Sequence, residues 1–74
     1  MEKVTAQKRL GEVIRARREQ LKFSQEGFAD AIGMHRAYYS SIERGERNLT
    51  LTTLIRVAEG LRSDIATLAK QAAI

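Results

Sequence analysis

Nine arginines, four lysines, one histidine and no cysteine set the chemistry open to this chain. Arginine presents a planar fork of donors that matches phosphate oxygens and guanine edges, which lysine's point charge does not. Without cysteine there is no disulfide, no thiolate nucleophile and no cysteine-held zinc. His35 alone cannot assemble a metal site. No two carboxylates stand with partners at a spacing suited to acid–base catalysis, and no glycine-rich loop is built to cradle a nucleotide. The expectation is a protein that binds rather than catalyses, with no metal and no cofactor.

The charge is unevenly spread. Thirteen basic residues face nine acidic ones, for a net charge of +4. Residues 1–22 carry seven basic groups (Lys3, Lys8, Arg9, Arg15, Arg17, Arg18, Lys22) against Glu2, Glu12 and Glu19. The middle of the chain is close to balanced. Such a balance suits a polyanionic partner, but many domains reach it for other reasons, so spacing must carry the argument. A chain of 74 residues holds one core, and buries only about 60% of the surface it exposes unfolded. Its longest stretch without charge, Asn48–Ile55, is short and threonine-rich and does not read as a membrane span. Its start, MEKVTAQKRLGEVIRARREQ, has no apolar signal region. These features predict a single intracellular, cytoplasmic domain.

Helices must position whatever binds. Leu10, Val13, Ile14, Arg17/Arg18 and Leu21 follow the i, i+3, i+4, i+7 spacing of one buried face. Lys22-Phe23 breaks the pattern and Ser24 offers an N-cap. A second helix, about Gln25–Ile32, has Phe28, Ala29 and Ile32 as its apolar face and Gly33 as its stop. A third runs from about His35 to Arg44, with Tyr39 and Ile42 inward and Gly45 closing it. Thr50 caps a fourth, with Leu51, Leu54, Ile55, Ala58 and Leu61 at helical spacing. Arg62-Ser63-Asp64 turns into a fifth, about residues 64–73, with Ile65, Leu68, Ala69 and Ala72 on its apolar side. No segment alternates with period two. The predicted fold is all-α: five short helices in one compact domain.

Two short helices across a glycine turn form a helix-turn-helix, here about residues 25–44. Ala29 must be small where the third helix crosses it, and Gly33 must tolerate the turn. The strings LGEVIRARREQLKFSQEGFADAIG, MHRAYYSSIERGERN and LTLTTLIRVAEGL closely resemble the lambda-repressor-like helix-turn-helix family over about Leu10–Leu68. IERGERNLTL and the bare five-helix length look most like the small controller proteins of restriction–modification systems. The resemblance implies a sequence-specific regulator of transcription that binds double-stranded DNA as a homodimer on a two-fold operator, with two dimers on adjacent sites a further arrangement. A controller protein would regulate its own gene and the endonuclease gene. A phage-type repressor, or an antitoxin or protein-interaction module of the same fold, is the alternative. The chain departs from the family at Tyr39, where Val or Ile is usual, at Gly27 inside helix two, and at Leu49, where proline is common. A buried tyrosine there needs a partner for its hydroxyl.

On this reading Gln25 meets a phosphate at the start of helix two, and Arg36 reads guanine from the outer side of helix three. His35, Ala37, Ser40 and Ser41 share that face, Ala37 suiting a thymine methyl. Tyr38 stands partly exposed beside them. Arg44, Arg47 and Asn48 clamp the backbone from the following loop, Arg47 alternatively reaching a narrowed minor groove. Arg17 and Lys22 are weaker candidates. The resemblance further implies a structural ion pair between Arg18 and Glu43. Leu61, Ile65, Leu68, Ala69 and Ala72 exceed what so small a core needs. Leu61 and Leu68 close the monomer's core in part, and the set is expected to form the dimer surface on helix five and the end of helix four, because one helix-turn-helix reads only half a two-fold site.

Overall fold

The structure, a computed structural model, describes residues 4–74. Glu2 and Lys3, counted in the basic balance, lie outside the described residues. Among those described there are five helices and no strand: α1 Ala6–Gln20, α2 Gln25–Ala31, α3 Arg36–Glu43, α4 Leu51–Gly60 and α5 Ile65–Gln71. The side chains of Thr5, Ser24, Thr50 and Asp64 each accept a hydrogen bond from a backbone amide of the turn they open. That satisfies one of the donors a helix start leaves free. His35 opens α3 without such a bond. The predicted ends of helices two, three and five overrun by a residue or two. Ile32, His35, Arg44 and Ala72 are caps rather than helix.

Five turns close the helices, and each has a residue in the left-handed region. Two are the glycines expected, Gly33 and Gly45. The other three carry side chains: Lys22, Arg62 and Ala73, at φ of 66°, 55° and 58°.

The core collects Ile14, Phe28, Ala29, Tyr39, Ile42, Val57, Ala58, Leu61 and Leu68. The rings of Phe28 and Tyr39 lie 5.1 Å apart, and Phe23 meets Phe28 edge-on at 5.5 Å. Helix α1 is the hub, packing on both α3 and α5. Its arginines also reach helix ends. The Arg17 Nε donates to the carbonyl of Leu61 just past α4, at 3.0 Å. The Arg9 Nε donates to the carbonyl of Ala72 just past α5, also at 3.0 Å. A cation at a helix C-terminus meets the orphan carbonyls and the negative end of the dipole.

A helix contact closed by backbone on both sides is at a glycine the spacing does not single out. A β-carbon on Gly11 would fall 2.7 Å from the Ile42 carbonyl oxygen and closer still to that of Glu43. Both obstacles are backbone, so α1 and α3 must part to admit it. Gly11→Ala gains roughly 1 kcal/mol of helix propensity against a typical overpacking cost of about 1–3 kcal/mol. It is expected to lower the urea midpoint. An unchanged or raised midpoint would show that the two helices separate freely.

Helix α4 differs from its predicted face. Val57 and Ala58 are buried, but Leu51 is 66% and Ile55 41% exposed. These two positions are a turn apart, and Leu54 beside them is only half-buried.

Candidate nucleic-acid interface

Helix α3 is pinned on two flanks, by α1 and by α2. Its five consecutive residues Tyr39 to Glu43 are therefore buried, and the outward surface narrows to its ends. His35, Arg36 and Ala37 are exposed at the first turn and Arg44 at the last. Arg36, Ala37 and Arg44 line a shallow groove along the outer side, with Ser40 at its floor. This corrects the sequence expectation for the serines. Ser40 and Ser41 are 8% and 4% exposed, because a helix held from two sides has too little circumference left to show them.

Both hydroxyls are committed. Ser40 Oγ donates to Gln25 Oε1 at 2.9 Å. Ser41 Oγ donates to the Tyr38 carbonyl at 2.5 Å and accepts from Arg47 Nε at 2.8 Å. Arg47 is thus folded back onto α3, its guanidinium carbon 5.0 Å from the centroid of the half-buried Tyr38 ring. That stacking fixes a cation beside the outward turn without desolvating it, since Arg47 remains exposed. Arg44 pairs with Glu46 at 3.1 Å, both more than half exposed. Such a solvated pair holds little energy and opens readily to a competing anion. Asn48 Oδ1 accepts a hydrogen bond from Gln7 Nε2, tying the loop after α3 to α1.

Beneath this surface lies the Arg18–Glu43 pair, with side chains 8% and 3% exposed. Arg18 donates from Nε to Oε2 at 2.7 Å and from NH2 to Oε1 at 3.1 Å. Gln25 Nε2 donates to Oε1 at 2.9 Å, and the Tyr39 hydroxyl donates to Oε2. Arg18 NH1 turns the other way, to the Phe23 carbonyl at 2.7 Å. Tyr39 thereby finds the partner a buried tyrosine requires, and no buried side-chain polar atom among the described residues lacks one. Burial pushes the Glu43 carboxyl up, but the bonds from Arg18, Tyr39 and Gln25 and the Arg18 charge outweigh it and hold it below the usual range. Burial, then the hydrogen bond to Glu43 and its charge, push the Tyr39 hydroxyl up. Glu43 therefore stays an anion facing inward, neutralised by Arg18, and does not oppose a polyanion outside.

Two further placements differ from expectation. Arg17, a candidate for the interface, caps α4 from the far side of α1; Lys22 is exposed. Leu61, Leu68 and Ala72 are 0%, 1% and 3% exposed within the single chain, so they close the monomer's own core and have no surface for a second copy. Ile65 and Ala69 are half-buried. The large apolar residues that do face outward are Val4, Leu51, Ile55 and Ile74. Amphipathic spacing placed Leu51 and Ile55 inside because it cannot tell a face covered by the same chain from one left open. Gln25 and Ser40 read as surface polar residues for the same reason.

The description "Helix-turn-helix" belongs to the family model that matches residues 14–68. Control protein C.SmaI of Serratia marcescens is 45% identical over 56 residues, 76% of this chain and 67% of that protein. Control protein C.MunI of a Mycoplasma species is 49% identical over 45 residues, 61% of each. The chain thus spans about two thirds of the length of these curated relatives. Among solved structures, the restriction–modification controller protein C.Esp1396I, as a tetramer with its natural 35 base-pair operator, superposes with a TM-score of 0.81. Its identity is 28%, over 97% of this chain and all of that one.

Proposed function

The chain belongs to the helix-turn-helix family, and from that premise we propose that it is a sequence-specific DNA-binding transcriptional regulator of the restriction–modification controller type. The observation that carries this reading is the exposed first turn of α3. Arg36 and Ala37, with the N-cap His35 before them, face out there, and the N-terminal end of the second helix is what a helix-turn-helix lays against base edges. Arg36 is the base reader, Ala37 meets a thymine methyl, and His35 adds contacts at the rim. Arg44 and Arg47, with Asn48, follow the DNA backbone, and Gln25 meets a phosphate.

One such turn reads half a two-fold site, so the regulator acts as a homodimer. Its seam lies on the outer face of α4, at Leu51 and Ile55. Leu54 and Ile74 share a cleft with Leu10 and Leu49, which carries the apolar surface from α4 to the last residue of the chain. Arg9 bridges the carbonyls of Ala72 and Val4, bringing the exposed Val4 to the same end.

Footprinting on the DNA upstream of the protein's own gene tests the function. A protected site with two-fold symmetry is expected, and no protection at any salt concentration would refute it. Arg36→Ala is expected to cost about 1–3 kcal/mol of operator binding and relax preference at one base position per half-site. Equal loss on operator and random duplex would make Arg36 a backbone contact instead.

A further inference from the structure

We propose that Ser40, nearly buried at the floor of the outer groove, is a positioning residue that aims the Gln25 amide at a DNA phosphate; this rests on the DNA-binding reading above. The Gln25 side chain is gripped at both ends. Its Nε2 donates to Glu43 Oε1 at 2.9 Å, and its Oε1 accepts from Ser40 Oγ at 2.9 Å. Turning the amide over would set its oxygen against the Glu43 carboxylate, two acceptors with no hydrogen between them. Glu43 is held ionised by Arg18, so that orientation is closed. The carboxylate decides the orientation, and the Ser40 hydroxyl, able to donate or accept, donates to the oxygen end.

One Nε2 hydrogen remains after the bond to Glu43. Gln25 is half-exposed, and Ser40 forms the floor of the groove that Arg36, Ala37 and Arg44 line. The amide therefore offers a fixed donor beside Ser40, in the later half of α3, the polarity a phosphate oxygen needs. Fixing it before DNA arrives removes the entropy a free glutamine would lose on binding. Ser40 is 8% exposed and its hydroxyl is committed; it acts on DNA only through Gln25.

The test is a double-mutant cycle on DNA binding, with operator and random duplexes, and urea midpoints confirming that each variant is folded. Gln25→Ala is expected to weaken both duplexes by about tenfold, and Ser40→Ala by about threefold. The double variant is expected to bind no worse than Gln25→Ala, because Ser40 has nothing left to aim. In Ser40→Ala the two side-chain amide proton resonances of Gln25 should move toward those of a free glutamine, with the urea midpoint little changed. Losses that add in the double variant, or an unmoved Gln25 amide, overturn the positioning role. Gln25→Ala binding like the unchanged protein overturns the phosphate contact itself. A protein that binds no duplex fails at the earlier reading, a distinguishable result.

Discussion

Glu43→Ala is expected to cost about 3–5 kcal/mol of folding stability. The whole domain holds roughly 4–11 kcal/mol at typical values per residue, so the variant should lose about a quarter of its stability at the least and all of it at the low end of that range. The loss comes from what stays behind. The Arg18 guanidinium, 8% exposed, would keep one carbonyl partner and lose its counter-charge, while Tyr39 and Gln25 would lose their acceptor. Replacing both charges, as in Arg18→Met with Glu43→Leu, removes the stranded cation and is expected to be milder than Glu43→Ala alone. Circular dichroism through a urea titration reads both. A loss under about 1 kcal/mol for Glu43→Ala would mean that water reaches Arg18 and solvates it. The same pair sets an acid limb. The folded carboxyl titrates below its unfolded value of about 4.3. Its contribution is therefore complete above that value and fades as pH falls through the folded one. Glu43→Gln should flatten this limb, and an unchanged acid midpoint would place the acid sensitivity elsewhere.

The second large effect concerns binding rather than folding. Leu51→Glu and Ile55→Glu put a charge on residues already 66% and 41% exposed, so the single chain should fold much as before. A carboxylate buried at a two-fold seam has no partner and meets its own copy across the axis. Operator affinity is expected to fall about a hundredfold or more, the advantage of joining two half-site readers, while sedimentation shows a monomer. Leu68→Glu should behave differently. At 1% exposed that residue is core, and the variant should lose its fold instead of its partner. A Leu51→Glu protein that remains dimeric would move the seam to another face.

Periodicity made the five helices legible, and Ser24 and Thr50 were legible as caps from their chemistry alone. The stops were legible where glycine made them, at Gly33 and Gly45. Lys22, Arg62 and Ala73 adopt the same left-handed backbone with nothing in their type to announce it. At Lys22 and Arg62 the packed helices on either side impose a conformation that local preference disfavours. The site divided in the same way. Arg36 and Ala37 could be placed outside because one turn of α3 settles them. Ser40 and Ser41 could not, since their burial depends on what α3 meets in the fold: Gln25 of α2 bonds Ser40, and Arg47 of the following loop bonds Ser41. Leu61 and Leu68 are legible as partly core; that they are wholly core, and Ala72 with them, depends on α5 packing against α1 and α4.

The two arginines of α1 that reach over to the ends of α4 and α5 bear on how the chain opens. Residues 9 and 17 bond to carbonyls 63 and 44 positions away, so the first helix fastens the last two from outside their own hydrogen-bond ladders. Helix ends normally fray, and their amides exchange with solvent far faster than the core's. Here the closing turns of α4 and α5 cannot loosen without stripping the guanidinium groups from α1, which itself is seated on α3 through a glycine. Local opening is thereby linked to global unfolding. Deuterium uptake at the amides of Leu61 and Ala72 should approach the slowest rates in the molecule, and the five helices should come apart as a single foldon.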